Sequence, residues 1–335
     1  MKLYITVPEG ELKDSFLTPD TIKLLAEHFE VTCNRERRNL VEEELAVAAK
    51  DFDVILTAWG TANLKKAGLT GKDTKLKFLI HTGGTVGDLI DSEAYDNGIR
   101  VISGNNIYAR STAEGALTYI LTGLRYIPDE VRDMKNSDYW DSSRKSEGLF
   151  GRDIGIIGVG AVSRNLMEFL KPFGAKIRVY DTYEIDKGYL KTVNAVQTTL
   201  DEVLSQSSVI SLHAALGEKT RGMIGGRELS LMRDGTLLVN TSRGPIIDES
   251  ALISELSKGR IRAVLDVFTH EPLDGDSPLR NMDNVYLIPH KAGPTYDLRG
   301  YIGRCLAEDA VRYLSGEPLQ YEIDRQSAER MTRHG

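Results

Sequence analysis

Gly155-Ile156-Ile157-Gly158-Val159-Gly160-Ala161-Val162-Ser163 is the stretch that decides the fold. Ile154 to Ile157 reads as a buried strand, and a helical pattern opens at Ala161. The glycines between them suit a dinucleotide-binding turn. Gly158 permits the tight bend, and Gly160 lets backbone approach a pyrophosphate. Ser163 stands where the G-x-G-x-x-G pattern has its last glycine, a place that needs a small residue for helix–strand packing. The helix N-terminus offers amide donors and a positive dipole end to phosphate. The next strand, Lys176-Ile177-Arg178-Val179-Tyr180, runs into Asp181. That carboxylate is placed to accept from ribose hydroxyls and to repel a 2′-phosphate, which predicts NAD over NADP. A site for S-adenosylmethionine shares this signature, so the turn alone does not name the cofactor.

Outward from the turn, short apolar runs alternate with helical patterns along most of the chain. Upstream, strands are predicted at Val54-Ile55-Leu56, Phe78-Leu79-Ile80 and Arg100-Val101-Ile102. Helices are predicted over 21–30, 40–50 and 112–125. Downstream, strands are predicted at Val209-Ile210-Ser211-Leu212, Thr236-Leu237-Leu238-Val239, Ala263-Val264-Leu265 and Val285-Tyr286-Leu287-Ile288, with Asp248 as an N-cap. The alternation implies an α/β fold of doubly wound parallel sheets. The helical pattern over 298–314 has no strand left to serve, and it is expected to return to the first series. The tail from about Gln326 is polar and is expected to fray.

The 335 residues suffice for two domains. A hydrophobic share of 41% and a charged share of 27% are ordinary for a soluble globular protein. The net charge of −7 gives no electrostatic footprint for nucleic acid. The apolar runs are too short for a membrane span, and the first residues read as a strand rather than a secretory segment. Cys33 and Cys305 form no metal-spaced cluster, so no metal is expected, and two isolated cysteines suit a reduced, cytoplasmic setting.

The chemistry concentrates downstream. Arg243, in Asn240-Thr241-Ser242-Arg243-Gly244, offers a planar fork for a carboxylate. His290, in Ile288-Pro289-His290, follows a strand and is placed for proton transfer. Glu271 is placed to orient that imidazole and favour its acid form. Together they suit hydride transfer between a nicotinamide and a 2-hydroxy or 2-keto acid.

These motifs, with Leu212-His213-Ala214-Ala215, Thr220-Arg221-Gly222-Met223-Ile224 and Leu265-Asp266-Val267-Phe268, resemble the D-isomer-specific 2-hydroxyacid dehydrogenase family. The resemblance is dense from about Leu149 to Gly293. It implies Arg243 as substrate-carboxylate ligand, Glu271 as support and His290 as acid/base. It places NAD against Gly158, Gly160, Ala161, Val162, Asp181, Thr112, His213, Ala214, Thr241, Ser242, Asp266 and His290. It places substrate against Gly83, Gly84 and Thr85 as well as Arg243 and His290, with Trp59 as a further lining residue. Gly87 stands where the family pattern often has Asp, and Ala215 where it has proline. The implied architecture has two Rossmann-like domains. A substrate domain, 1–105 and 296–335, is interrupted by an NAD-binding domain, 106–295, and the family is usually homodimeric. An NADH-sensing corepressor of the same family, with little turnover, is the competing reading.

The identity of the acid is less legible. Ala58-Trp59-Gly60-Thr61-Ala62 carries no cation, and no regulatory domain is read at the C-terminus. An uncharged substrate side chain therefore ranks ahead of phosphoglycerate, with His81, Tyr108 and Arg110 left as sources of polar contacts.

Overall fold

A computed structural model describes residues 1–136 and 144–332. The last three residues of the expected first domain therefore lie outside the described residues. The chain divides into two compact units, Met1–Tyr108 with Pro294–Gly335, and Ala109–Gly293.

The first unit holds a parallel sheet of β1 (Lys2–Ile5), β2 (Glu30–Cys33), β3 (Val54–Thr57), β4 (Phe78–His81) and β5 (Arg100–Ser103). Its order is β2-β1-β3-β4-β5. Alternate residues feed two apolar layers. Leu3, Ile5, Val54, Leu56, Phe78 and Ile80 join one cluster, while Tyr4, Ile55 and Leu79 join the other. The helix Arg299–Ser315 returns to this unit and packs on the helices Glu11–Phe16 and Pro19–His28. The expected fraying from Gln326 is corrected over the described residues of the tail, which end at Thr332. Asp324 caps a helix over Arg325–Glu329, and Ala328 and Met331 pack into the second cluster. The polar sequence hid two apolar anchors spaced three apart.

The second unit holds β6 (Asp153–Ile157), β7 (Lys176–Tyr180), β8 (Ala195–Gln197), β9 (Val209–Leu212), β10 (Leu237–Asn240), β11 (Arg262–Leu265) and β12 (Val285–Leu287). All pairings are parallel, in the order β12-β11-β10-β9-β6-β7-β8. The order reverses between β6 and β9. The crevice outside the carboxyl ends of two such strands is where ligands bind in open α/β sheets. Asp248 caps the helix Glu249–Leu256 by accepting from the amide of Ala251, as predicted. No helix among the described residues is long and apolar enough to cross a membrane.

Candidate active site

The glycine turn leaves β6 at the reversal point. Gly158 has φ +93°, and a Cβ there would lie 2.4 Å from the amide nitrogen of Ala214, so only glycine fits. Ser163 is fully buried, and its hydroxyl donates to the carbonyl of Gly160 at 3.1 Å, which absorbs the missing third glycine. No side chain caps the Ala161–Leu170 helix, leaving its first-turn amides for a ligand. Asp181 does more than end β7. Its Oδ2 accepts from the amide of Val159 at 2.6 Å and its Oδ1 from that of Tyr183 at 3.0 Å, tying the acid to the turn. One lone pair on each oxygen stays open to a ribose. His213, just past β9, shares a hydrogen bond of 2.8 Å with the hydroxyl of Ser211, and burial pushes its imidazole down to about 4.

Thr241 and Ser242 follow β10. The side chain of Asn240 shapes their turn: Oδ1 accepts from the amide and hydroxyl of Ser242, and Nδ2 donates to the carbonyl of Arg243. The hydroxyl of Thr241 is buried with no partner among the described residues. An uncapped helix, open space at the Cβ position of Gly160 and an idle buried hydroxyl suit a dinucleotide. Thr112 packs on Gly293, where a Cβ would lie 2.8 Å from the threonine amide.

Arg243, Glu271 and His290 form one assembly. The guanidinium of Arg243 donates to the carbonyl of Ser242 at 2.6 Å. The next residue, Gly244, lies so close to Phe268 that a Cβ would fall 2.0 Å from its carbonyl carbon. The amide of Phe268 donates to Oε1 of Glu271 at 3.0 Å, and Oε2 of Glu271 meets Nδ1 of His290 at 2.7 Å. The segment carrying the arginine is thus packed on the segment that holds the glutamate. Nε2 of His290 has no partner among the described residues, and the side chain is 48% exposed.

His290 itself has φ +52°, an uncommon setting for a residue with a Cβ. Asp266 holds it there. The carbonyl of Asp266 accepts from the amide of His290 at 2.9 Å. Its fully buried carboxylate accepts from the amides of Lys291 and Ala292 at 2.7 and 3.0 Å, and from the hydroxyl of Tyr119 at 3.1 Å. Asp266, expected beside the nicotinamide, is engaged in the described structure by the histidine loop. Tyr119 and Asn240 carry parts that the sequence reading missed. Asn240 was within reach of it, because it opens the arginine motif.

In the first unit, Gly83, Gly84 and Thr85 follow β4. The amides of Gly84 and Thr85 donate to no group among the described residues, as a carboxylate-binding turn requires. The hydroxyl of Thr85 donates to the carbonyl of Thr332 at 3.1 Å. His81 lies beneath the turn, bonded through Nδ1 to the hydroxyl of Thr57 at 2.9 Å, and burial pushes it down to about 3. It is a neutral support rather than a polar contact for substrate. Trp59 is partly exposed and packs on Phe16 and Tyr108. Arg110 is exposed and lies in the other unit.

Residues 117–292 match the family described as "D-isomer specific 2-hydroxyacid dehydrogenase, NAD binding domain". The chain is similar to D-3-phosphoglycerate dehydrogenase of Methanocaldococcus jannaschii, at 34% identity over 95% of this chain and 58% of that protein. It is similar to glyoxylate reductase of Aeropyrum pernix, at 30% identity over 92% of this chain and 93% of that protein. Among solved structures it superposes on a glyoxylate reductase from Paecilomyes thermophila with a TM-score of 0.79, at 23% identity over 97% and 99% of the two chains. The chain spans about half the length of the two phosphoglycerate dehydrogenases that head the curated relatives, 58% and 48%.

Proposed function

Because this chain belongs to the D-isomer-specific 2-hydroxyacid dehydrogenase family, with NAD as cofactor, we propose that it interconverts a small 2-keto acid and its 2-hydroxy acid. The observation that carries this reading is the pair of His290 and Glu271, joined at 2.7 Å through Nδ1, which frees Nε2 for chemistry. When bound, the nicotinamide supplies the hydride to C2 or takes it back. His290 donates a proton from Nε2 to the keto oxygen in reduction and accepts it from the hydroxyl in oxidation. Glu271 fixes the ring through Nδ1 and leaves Nε2 to exchange the proton. Arg243 grips the substrate carboxylate with its fork. In the first unit, the idle amides of Gly84 and Thr85 are the donors offered to substrate. The turn at 158–163 holds the pyrophosphate, Asp181 the adenosine ribose, and Thr241 a polar edge of the cofactor.

Ile127, Val131 and Met134 lie on the helix Ile127–Asn136 at a helical spacing and are all exposed. A second copy of the chain covers this apolar stripe, giving the homodimer that the family resemblance implies.

Arg243→Lys tests the carboxylate assignment. A point charge replacing a planar fork should raise KM for a 2-keto acid by on the order of tenfold or more. An unchanged KM would remove Arg243 from substrate binding.

A further inference from the structure

The segment Ala58–Ala62 offers no cation, but the structure brings one to Trp59 from the far end of the chain. Arg299 opens the helix Arg299–Ser315. Its guanidinium carbon lies 5.2 Å from the ring centre of Trp59, 5.2 Å from that of Tyr296 and 5.7 Å from that of Phe16. Trp59 meets Tyr108 edge-on, with ring centres 6.0 Å apart. Gly84, in the turn read above as substrate-binding, closes over the same tyrosine: a Cβ there would lie 3.8 Å from Cδ1 of Tyr108. Phe16, Trp59 and Tyr296 therefore surround one positive charge, with Tyr108 and the turn at Gly84 beside Trp59.

That charge has aromatic faces but no acceptor. Arg299 makes neither a hydrogen bond nor an ion pair among the described residues, and its Nε is buried. The hydroxyl of Tyr108 is also buried without a partner. Burial pushes this phenol up while Arg299 pulls it down; burial prevails, so the hydroxyl stays a donor. Packing on three rings accounts for the place of the guanidinium through cation–π attraction. It does not account for two idle donors in one cluster, because buried polar groups are nearly always paired. Trp59 and Tyr296 remain partly exposed, so the cluster opens to solvent. Trp59 follows β3, one of the two strands flanking the order reversal of this sheet, where ligands gather. An aromatic wall with a few converging polar groups is the usual make-up of a small-molecule site.

We propose that Trp59, Tyr108 and Arg299 form an anion-accepting subsite, and that the substrate is a 2-keto or 2-hydroxy acid with a second anionic group, carboxylate or phosphate, at its far end. The assignment rests on the reading of Gly83–Thr85 as a substrate turn. It revises the ranking of an uncharged side chain.

The test compares matched acids with NADH: 2-oxoglutarate against 2-oxovalerate, and phosphohydroxypyruvate against hydroxypyruvate. The members of each pair share a carbon skeleton and differ in the distal anion. Wild-type protein should favour the anionic member of one pair by about tenfold or more in kcat/KM, as expected for a charge-assisted hydrogen bond. The favoured pair distinguishes carboxylate from phosphate. Arg299→Met should collapse the ratio, and Tyr108→Phe, which removes only the idle hydroxyl, should lower it several-fold. General damage to the fold would depress both members of a pair and leave the ratio alone. Should Arg299→Met not fold, Tyr108→Phe and Arg299→Lys carry the test. No anionic preference in the wild type, or a preference that survives these variants, overturns the subsite. Should no keto acid turn over, the reaction assignment fails separately, and calorimetric titration with inorganic phosphate and glutarate decides the subsite. Saturable binding weakened in the variants supports it, and absent or unchanged binding overturns it.

Discussion

His290 is held in a left-handed backbone setting at φ +52° by two bonds from its amide and by the buried carboxylate of Asp266. Such a setting costs of order 1–3 kcal/mol for a residue with a Cβ. Strain kept at a residue with a free ring nitrogen is what a functional position looks like. Glycine would relieve the strain but lose the ring. His290→Gly should therefore leave the melting temperature unchanged or raised while turnover falls by on the order of a hundredfold or more. A calorimetric scan with initial rates checks both, and a variant that keeps wild-type rates would contradict the role of His290. At this scale the sequence was informative in dense motifs: Glu271 and His290, singled out by residue type and position, meet at 2.7 Å. Asn240 was within reach, but contacts made across long stretches of chain were not. Tyr119 reaches Asp266 across 147 positions, and Arg299 reaches Trp59 only through the returning helix. Nothing local in the sequence announces either contact.

At the scale of elements, the strand–turn–helix around Gly158 joins two roles in Asp181. Its carboxylate accepts from the amide of Val159 within the turn, and in the function proposed above it faces the adenosine ribose, where its charge would repel a 2′-phosphate. Asp181→Ala should thus do two things at once. The discrimination between NADH and NADPH should shrink by about tenfold, and affinity for NADH should fall because the turn loses an acceptor. Fluorescence titration with each cofactor measures both, and an unaltered ratio would show that Asp181 does not choose between them. Central strands such as β3, β4 and β10 were legible as continuous apolar runs, because both faces of the sheet are covered. The edge strands β2 and β8 were not. Glu30–Cys33 alternates exposed with half-buried residues, and Ala195–Gln197 has only three residues, so neither produces such a run.

At the scale of the whole molecule, the alternation of strands and helices made two parallel sheets expected, and the returning terminal helix made the first unit discontinuous. Each unit builds its own core, with an apolar layer on each face of its sheet. The exposed stripe of Ile127, Val131 and Met134 belongs to the second unit and was not read from the sequence, because it becomes evident only once burial is known. In the homodimer proposed above, a charge placed in it should separate the copies. Val131→Glu should shift the sedimenting species from dimer to monomer at micromolar concentration. A wild-type protein that already sediments as a monomer, or a variant that stays dimeric, would contradict pairing through this helix.

The most direct test of the central claim is NADH oxidation against a panel of 2-keto acids: pyruvate, glyoxylate, hydroxypyruvate, phenylpyruvate, 2-oxoglutarate and phosphohydroxypyruvate. The panel is run with wild-type protein and with His290→Ala. The account predicts steady turnover of at least one acid, lost in the variant while NADH still binds. Firm NADH binding without turnover of any acid would contradict it and leave a cofactor-sensing protein in its place.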